Sequence, residues 1–440
     1  LFFFRFYMTL AAMQIQIGKQ FSFSYLLINF AKIIFIIMRN LLFLIFLSFL
    51  ISCKPEINKE TRIQEDVTYL ASDELEGRQT GTSGEKKAAK YIQNRFKELG
   101  LAPKGTQGFL QPFTFMPKTN PHGEVKFDVN GDGTITGNNV LGFIDNNAEN
   151  TVIIGAHYDH LGFGGEGSFY RDTIKAIHNG ADDNASGVAV MLDIAAKLKN
   201  KNTRNNYLFM AFSGEEMGLL GSNYFVKNPT VDLKKVSYMI NMDMVGRLKK
   251  DSTLAVYGTG TSPIFKQVLK AHNDSFKLVQ RESGVGPSDH TSFYLADIPV
   301  LHFFTGQHED YHKPGDDSEK LNYNGMKTLG KYLFAIISDL DNNGKLRFRK
   351  TKNESEETPR FKVGLGVIPD YLFDGKGMRI DGISENKPAQ KAGLQKGDIG
   401  LQLGDSLVVV LRYGALYRRC GWGGGELQHA TSDTSERSTL

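Results

Sequence analysis

207-YLFMAFSGEEMG-218 is an apolar run that stops at two adjacent carboxylates, Glu215 and Glu216. One carboxylate of such a pair can hold a metal while its neighbour stays free as a base, the division of labour that metal-assisted hydrolysis requires. A single acidic pair is usually only a solvated loop, so the weight comes from three other runs that end in the same way. 151-TVIIGA-156 stops at His157 and Asp159, 236-VSYMINM-242 stops at Asp243, and 298-IPVLHFF-304 leads into a loop carrying Asp310 and His312. Short runs rich in Val, Ile and Phe, bounded by Gly and polar residues and separated by helical stretches, are expected to be strands of a sheet covered on both faces. Open α/β sheets carry their sites beyond the carboxyl ends of the strands, which brings the four tips to one pocket. The expected fold class is therefore α/β, with a mixed, mostly parallel central sheet and helices on both faces.

A fifth element is 179-NGADDNASG-187, followed by Val188, Met191, Ala195 and Leu198 at helical spacing and by Lys197 and Lys199 late in the segment. Cations suit that end of a helix. Asp183 then stands just before a helix N-terminus, where Asp182, Asp183, Asn184 and Ser186 would in isolation read as caps. Upstream, 66-DVTYLASDELEGRQTGTSGEKKAAKYIQNRFKELGL-101 reads as two helices around a Gly-rich turn. Ala88, Ala89, Ile92, Phe96 and Leu99 form the stripe of the second helix, and Gly100 is its stop.

The strings 155-GAHYDHLG-162, 180-GADDNASG-187, 213-SGEEMG-218, 241-NMDMVG-246 and 311-YHKPGDD-317 together resemble the M28 family of zinc peptidases, in matching order from about Asp66 to Leu340. The resemblance implies a zinc exopeptidase fold of the phosphorylase/hydrolase type. It makes His157, Asp183, Glu216, Asp243 and His312 the ligands of two zinc ions, with Asp183 bridging, His157 and Asp243 completing one position, and Glu216 and His312 the other. Glu215 is then the general base acting on a water held by the metals, and Asp159 the carboxylate that orients His157. Tyr311 resembles a phenol that steadies the tetrahedral oxyanion in some members, or else packs on the pocket rim. Asp289 and His290 in 287-PSDHTSF-293 resemble residues lining the pocket and are assigned no metal; Arg78 and Thr80 are read as structural. Two imidazoles and three carboxylates are also, on chemistry alone, a donor set suited to zinc, with manganese or cobalt as substitutes.

His122, His160, His178, His272, His302 and His308 match no position of that pattern and are expected to be solvated or satisfied locally. 128-DVNGDGTITGNN-139 has the first half of a calcium-loop pattern but ends on Asn139 where Glu is required. A tight β-hairpin turn is the expectation there. Loop 162-GFGGEGSFYRDTIKAIHNG-180, rich in glycine, is read either as a mobile rim over the cleft or as a connector.

Among 440 residues, Lys plus Arg number 52 and Asp plus Glu 48, an excess that gives no argument for nucleic acid. Met38, Arg39 and Asn40 precede 41-LLFLIFLSFLI-51 and then Ser52 and Cys53, a charged start, an apolar core and a small residue before a cleavage point. Residues 38–53 resemble a bacterial lipoprotein signal with Cys53 as the lipidated first mature residue, which implies an exported protein anchored in the cell envelope. A transmembrane helix is the alternative, although the run is short for about 30 Å of hydrocarbon. Residues 1–37 read as an upstream extension outside the fold, residues 54–340 as the peptidase domain, and 341–360 as a polar linker. Beyond it, 364-GLGV-367, 381-DGISENKPAQKAGLQKGD-398 and 401-LQLGD-405 resemble a PDZ domain over residues 361–406, which implies a C-terminal peptide ligand added at a sheet edge. The pattern breaks after Asp405, and residues 407–440 are expected to be a disordered tail. With Cys53 lipidated and Cys420 in that tail, no disulfide is expected.

The leading functional expectation is a di-zinc exopeptidase, most simply an aminopeptidase acting on peptides or proteins. A glutaminyl-cyclase-like acyltransferase with one zinc on the same fold is the second, and a peptide-binding protein on an inactive scaffold the third.

Overall fold

From Glu60 onward the chain builds a nine-stranded sheet from β1 (Ala102–Pro103), β2 (Leu110–Phe115), β3 (Ile135–Ile144), β4 (Asn150–His157), β5 (Asn205–Phe212), β6 (Val236–Met242), β7 (Thr253–Tyr257), β8 (Lys277–Gln280) and β9 (Val300–Phe304). This computed structural model describes residues 30–41, 62–117, 126–129, 131–165, 167–170, 172, 174–199, 201, 203–351, 365–369, 376–383, 387–403, 406–407 and 427–430. The spatial order is β1-β3-β5-β4-β6-β9-β7-β8, with β2 paired to β3. At the centre β5, β4, β6 and β9 are parallel. Antiparallel pairing enters at the flanks, where β3 meets β5 and β7 meets β9.

Alternate side chains of a strand go to opposite faces, and the central runs divide accordingly. Val152, Ile154 and Ala156 of β4, with Tyr207, Phe209 and Ala211 of β5, join one buried cluster with helices α1 (Arg62–Leu70), α2 (Ser83–Glu98) and α3 (Gly187–Leu198). Ile153, Leu208, Met210 and Phe212 join the other, against Phe225 of α4 (Leu220–Lys227). Two further helices, α5 (Phe265–Ala271) and α7 (Tyr323–Leu340), pack on the first face, while Phe293 and Tyr294 of the short α6 (His290–Tyr294) pack on the second. Both faces are thus covered, which is why the strands read as continuous apolar runs.

The connection β4–α3–β5 lies over one face and β5–α4–β6 over the other, and β5 and β6 flank β4 on opposite sides. A reversal of direction together with a change of face is what right-handed crossovers demand. It leaves a crevice at the carboxyl end of β4, the place where such sheets bind ligands.

Local departures from the expected elements are small. The helix α1 begins at Arg62, ahead of Asp66, and a short 3₁₀ turn, Asp73–Arg78, follows it. In α2 the residues Ala88, Ala89, Ile92 and Phe96 are buried, Leu99 is only partly so, and Gly100 at φ +68° ends the helix. The segment from Asp128 does turn, with the Thr134 amide donating to the Gly131 carbonyl at 3.2 Å. It closes a longer excursion, however, since β2 pairs with β3 only from Phe115 and Ile135 inward and Phe127 forms a separate bridge to Phe115.

The C-terminal residues form a second, antiparallel sheet of β10 (Val367–Pro369), β11 (Met378–Ile383), β12 (Ile399–Leu403), β13 (Ser406–Leu407) and β14 (Leu427–Ala430). Met378, Ile380, Ala389 and Leu394 form its small core. Residues 352–360 of the linker, the start of the PDZ-like region and most of the tail, with Cys420, lie outside the described residues. Residues 1–59 form a separate unit, of which residues 30–41 are described, as a helix. The apolar part of the signal and Cys53 lie outside the described residues, and no described helix is long and apolar enough to cross a membrane.

Candidate metal centre

The parallel strands deliver their tips to one point. His157 is the last residue of β4, Glu215 and Glu216 follow β5, Asp243 follows β6, and Tyr311 and His312 lie on the loop after β9. Asp183 comes from the turn Ala181–Ser186 that opens α3. Nε2 of His157 stands 3.3 Å from Oδ1 of Asp183 and 3.3 Å from Oδ1 of Asp243. Nε2 of His312 stands 3.2 Å from Oδ2 of Asp183 and 3.3 Å from Oε2 of Glu216. The two imidazoles therefore face opposite oxygens of one carboxylate, and each has a second carboxylate beside it. Oε2 of Glu215 is 4.0 Å from the His157 nitrogen, outside either set.

Each imidazole is aimed by its other nitrogen. Nδ1 of His157 lies 3.2 Å from the backbone carbonyl of Asp159, and Nδ1 of His312 lies 2.8 Å from the carbonyl of Gly167. The glycine-rich loop 162–180 is thus tied to the His312 loop, and the Phe169 amide adds a bond to the His312 carbonyl at 3.0 Å. Asp159 meets His157 through its main chain: its carboxylate is 3.7 Å from Nδ1, beyond hydrogen-bond range. That carboxylate instead accepts from the Glu215 amide at 3.2 Å and the Thr80 hydroxyl at 3.0 Å. The residue expected to orient the histidine by its side chain positions the neighbourhood of the general-base candidate.

With Nδ1 donating, each Nε2 lone pair points at carboxylate oxygens just over 3 Å away, an arrangement that repels unless a cation sits between them. In the protein alone, protons take that part. Burial opposes charge on His157, but Asp243 and Glu215 outweigh it and hold the imidazole well above its ordinary range. Burial likewise opposes charge on His312, and Glu216 and Asp183 push it well up. Against the same burial, His157 and His312 hold Asp183 well below the usual carboxylate range. A divalent ion satisfies the same atoms in place of a proton, with proton release on binding. The donor set therefore fits metal. Glu215 behaves differently from its neighbour: burial raises it well above the usual carboxylate range, and Asp243, Glu216 and Asp289 add to this against the pull of His157.

The turn that carries Asp183 separates caps from ligand. Asp182 accepts from the Gly246 amide (2.6 Å), Ser186 accepts from the Val245 amide (3.0 Å), and Asn184 accepts from the Gly187 amide (3.0 Å) while donating to the Met242 carbonyl (3.0 Å). Three of the four candidate caps thus staple the turn to the end of β6, and only Asp183 turns its carboxylate to the histidines. Asp316, from the loop after His312, accepts from the amides of Asp182 (2.9 Å) and Asp183 (3.0 Å). Arg78 acts structurally, its buried guanidinium donating to the carbonyls of Tyr158 (2.7 Å), Asn179 (2.6 Å), Gly180 (3.0 Å) and Leu70.

Tyr311 stacks on His312 with ring centroids 3.8 Å apart. Burial, then the carboxylates of Asp183 and Glu216, keep its phenol protonated as a donor. Asp289 is fully buried near the cluster, its carboxyl raised to about 7 by burial with Asp159 and Asp243 adding to it, and His290 stacks on His302 at 4.3 Å. His178 meets Ser168, and His272 meets Asp339. His122 lies outside the described residues.

Two histidines stand closer to the centre than the sequence indicates. His308 lies 3.2 Å from Asp182, and Nδ1 of His160 is 2.6 Å from Oε1 of Glu216. Among the described residues, the groups able to bring three donor atoms within 4.8 Å of one another are His157, Asp183 and Asp243, and His160, Asp183 and Glu216. Beside Asp183 and Glu216, His312 is the better ligand candidate, because its Nδ1 is occupied by Gly167 and its Nε2 faces both carboxylates. The nearness of His160 to its own strand-tip neighbour, three residues after His157, was the available signal; without the fold nothing separates it from a loop histidine.

Residues 139–337 match the profile of Peptidase family M28. The "Probable leucine aminopeptidase" of Trichophyton verrucosum is 31% identical over 218 residues, 46% of this chain and 55% of that protein. "Aminopeptidase YwaD" of Bacillus subtilis is 31% identical over 197 residues, 42% of this chain and 40% of that protein. The chain spans about half the length of the curated relatives it matches. The solved structure of a Zn-dependent exopeptidase from Parabacteroides distasonis is similar with a TM-score of 0.51 at 20% identity, over 65% of this chain and 99% of that one, a likeness of fold. Residues 139–337, the stretch that matches peptidase family M28, hold all six of the converging ligand and base candidates.

Proposed function

We propose that the chain is a zinc-dependent aminopeptidase that works with two ions and removes N-terminal residues from peptides. One observation carries this reading: the imidazoles of His157 and His312 address opposite oxygens of Asp183 at 3.3 and 3.2 Å, each with its own second carboxylate. Relatives named as aminopeptidases support the choice of reaction. His157, Asp183 and Asp243 would hold one ion, and Asp183, Glu216 and His312 the other. Bound zinc supplies Lewis acidity toward the scissile carbonyl and lowers the pKa of water.

Glu215 does the proton work. Its carboxylate belongs to neither ligand set, and its raised proton affinity suits a group that must take a proton from the attacking water and later pass it to the departing amine. Asp159, by accepting from the Glu215 amide, fixes where that carboxylate starts. Tyr311, kept protonated, would donate to the oxyanion of the tetrahedral state. Metal analysis of the purified chain together with peptides bearing free or acetylated N-termini tests the reading. Two zinc ions and cleavage abolished by acetylation are expected; cyclisation of N-terminal Gln without hydrolysis would instead support the acyltransferase.

We also propose that the protein is an envelope lipoprotein anchored through Cys53, and that residues 361–406 act as a PDZ-like module for a peptide C-terminus. The support is the pattern of residues 38–53 and, for the module, the Gly-Leu-Gly string before β10. Expression of Cys53→Ala should move the protein from the membrane to the soluble fraction; an unchanged distribution would rule out the anchor.

A further inference from the structure

The two-ion reading leaves one buried imidazole beside the second position without a task. His160 is sealed from solvent, and its Nδ1 lies 2.6 Å from Oε1 of Glu216. The other oxygen of that carboxylate, Oε2, is the one that faces His312 at 3.3 Å. The two oxygens therefore have different partners, one on each side.

The ring of His160 has little freedom. Its own amide donates to the Arg78 carbonyl at 3.3 Å, and Arg78 in turn donates to the Gly180 carbonyl at 3.0 Å. Gly180 stands at φ +56°, and a Cβ there would come within 2.5 Å of the His160 Cδ2 and 2.2 Å of the Asp183 carbonyl oxygen. Glycine at this point lets the imidazole lie directly under the chain that enters the bridging aspartate. His160 is thus wedged between the loop of Glu216 and the loop of Asp183, the two residues that both face His312.

We propose that His160 is the positioning residue of the second metal position, its Nδ1–H clamping Oε1 of Glu216 so that Oε2 is presented as the ligand oxygen. This rests on the two-ion reading and adds to it an outer partner that the ligand pattern does not contain. A direct ligand role is disfavoured by geometry. Nδ1 of His160 is taken up by Oε1 of Glu216, whereas Nε2 of His312 faces an oxygen of both Asp183 and Glu216. Hydrogen bonds to ligating carboxylates set ligand orientation, and their loss costs about 10- to 100-fold in metal affinity.

The test is zinc binding by the metal-free full-length chain, measured by competition with a chelator and by metal count, for the unaltered protein, His160→Ala and His160→Asn. In the unaltered protein two ions are expected. His160→Ala should weaken the second by about 10- to 100-fold and leave the first unchanged. Asparagine places an amide N–H near the position of Nδ1, so His160→Asn should recover most of the lost affinity. If His160→Ala does not fold, as judged by its thermal melt, His160→Phe keeps the ring and removes the donor. Unchanged affinity for both ions in the donor-less variant overturns the proposal. So does an asparagine variant as weak as alanine, which would make the imidazole a ligand. An unaltered protein that saturates at one ion would sink the two-ion reading itself, and this inference with it; failure in the variants alone leaves that reading standing.

Discussion

Glu215→Gln separates proton transfer from metal binding and from folding, because the amide keeps the shape of the side chain and loses its basicity. The Glu215 backbone is held independently of its carboxylate, its amide N–H donating to the Asp159 carboxylate at 3.2 Å. The carboxylate itself stands 4.0 Å from Nε2 of His157, whereas Asp183 and Asp243 stand at 3.3 Å. On the two-ion proposal, both ions should therefore remain. A general acid–base group contributes about 10²- to 10⁴-fold, which at about 1.4 kcal/mol per decade is about 3 to 5 kcal/mol of barrier. Folding should not suffer. Glu215 has a folded pKa raised above its ordinary value, so it favours the folded state at low pH and opposes it as pH rises and the carboxyl ionises beside Asp243, Glu216 and Asp289. Removing that charge should leave the metal-free melting temperature at pH 7 equal or higher. Initial rates on an amino-acid amide, metal content and thermal melts give the three readouts. Turnover within tenfold of the unaltered enzyme with both ions bound would refute the assignment, and loss of metal would make Glu215 a ligand instead.

Tyr311→Phe removes the phenol O–H but keeps the ring stacked on His312, so kcat should fall by about 10²-fold with KM nearly constant; equal kcat would leave the tyrosine a packing residue. Arg78→Lys cannot serve the four carbonyls that the guanidinium reaches, and urea unfolding should show a loss of about 3 kcal/mol or more, whereas a loss below about 1 kcal/mol would contradict the structural role. The stacked pair of His290 and His302 should make the metal-free chain acid-sensitive. Burial pushes His290 well below its ordinary range and His302 down to about 4, so both stay neutral in the fold while the unfolded chain takes up protons below about pH 6.5. Their contribution is complete above that pH and drains away as pH falls toward 4, by about 3 kcal/mol for His302. Melting temperatures of the unaltered protein and of His290→Phe should converge at low pH; parallel curves would show that the pair does not titrate.

The strands and the convergence of the candidate ligands are legible because two signals coincide in the same residues. A strand buried on both faces needs an unbroken apolar run, and the crevice of an open sheet lies at the carboxyl ends, so polar residues shortly beyond each run are the candidates for the site. His157 and Asp243 are immediate, and Glu215 and Glu216 come after a single Ser-Gly pair. Asp183 was harder, since Asp182, Asp183, Asn184 and Ser186 are equally good caps. The structure divides them by what the backbone at and just after the end of β6 offers: the Gly246 and Val245 amides and the Met242 carbonyl take Asp182, Ser186 and Asn184, and Asp183 is left facing His157 and His312.

What was not legible is the layer that aims the ligands, because it is made of contacts between segments far apart in the chain. Gly167 orients His312 across 145 residues, Arg78 fixes Gly180 across 102, and His160 reaches Glu216 across 56. Carbonyl acceptors belong to every residue, a buried arginine is recognised only by its burial, and the place of His160 three residues after His157 does not by itself separate it from a loop histidine. The same reason explains Asp159. Its type suggested a carboxylate–imidazole pair, but two residues along a chain leaving β4 bring its carbonyl, at 3.2 Å, nearer to His157 than its side chain, at 3.7 Å, and free that side chain to hold the loop of Glu215. A motif therefore specifies which atoms can bind metal, whereas the turns between strands and helices decide which way those atoms face. Changes in this centre that spare every ligand but alter Gly167, Gly180 or His160 should accordingly lower metal affinity by misaiming lone pairs that are still present.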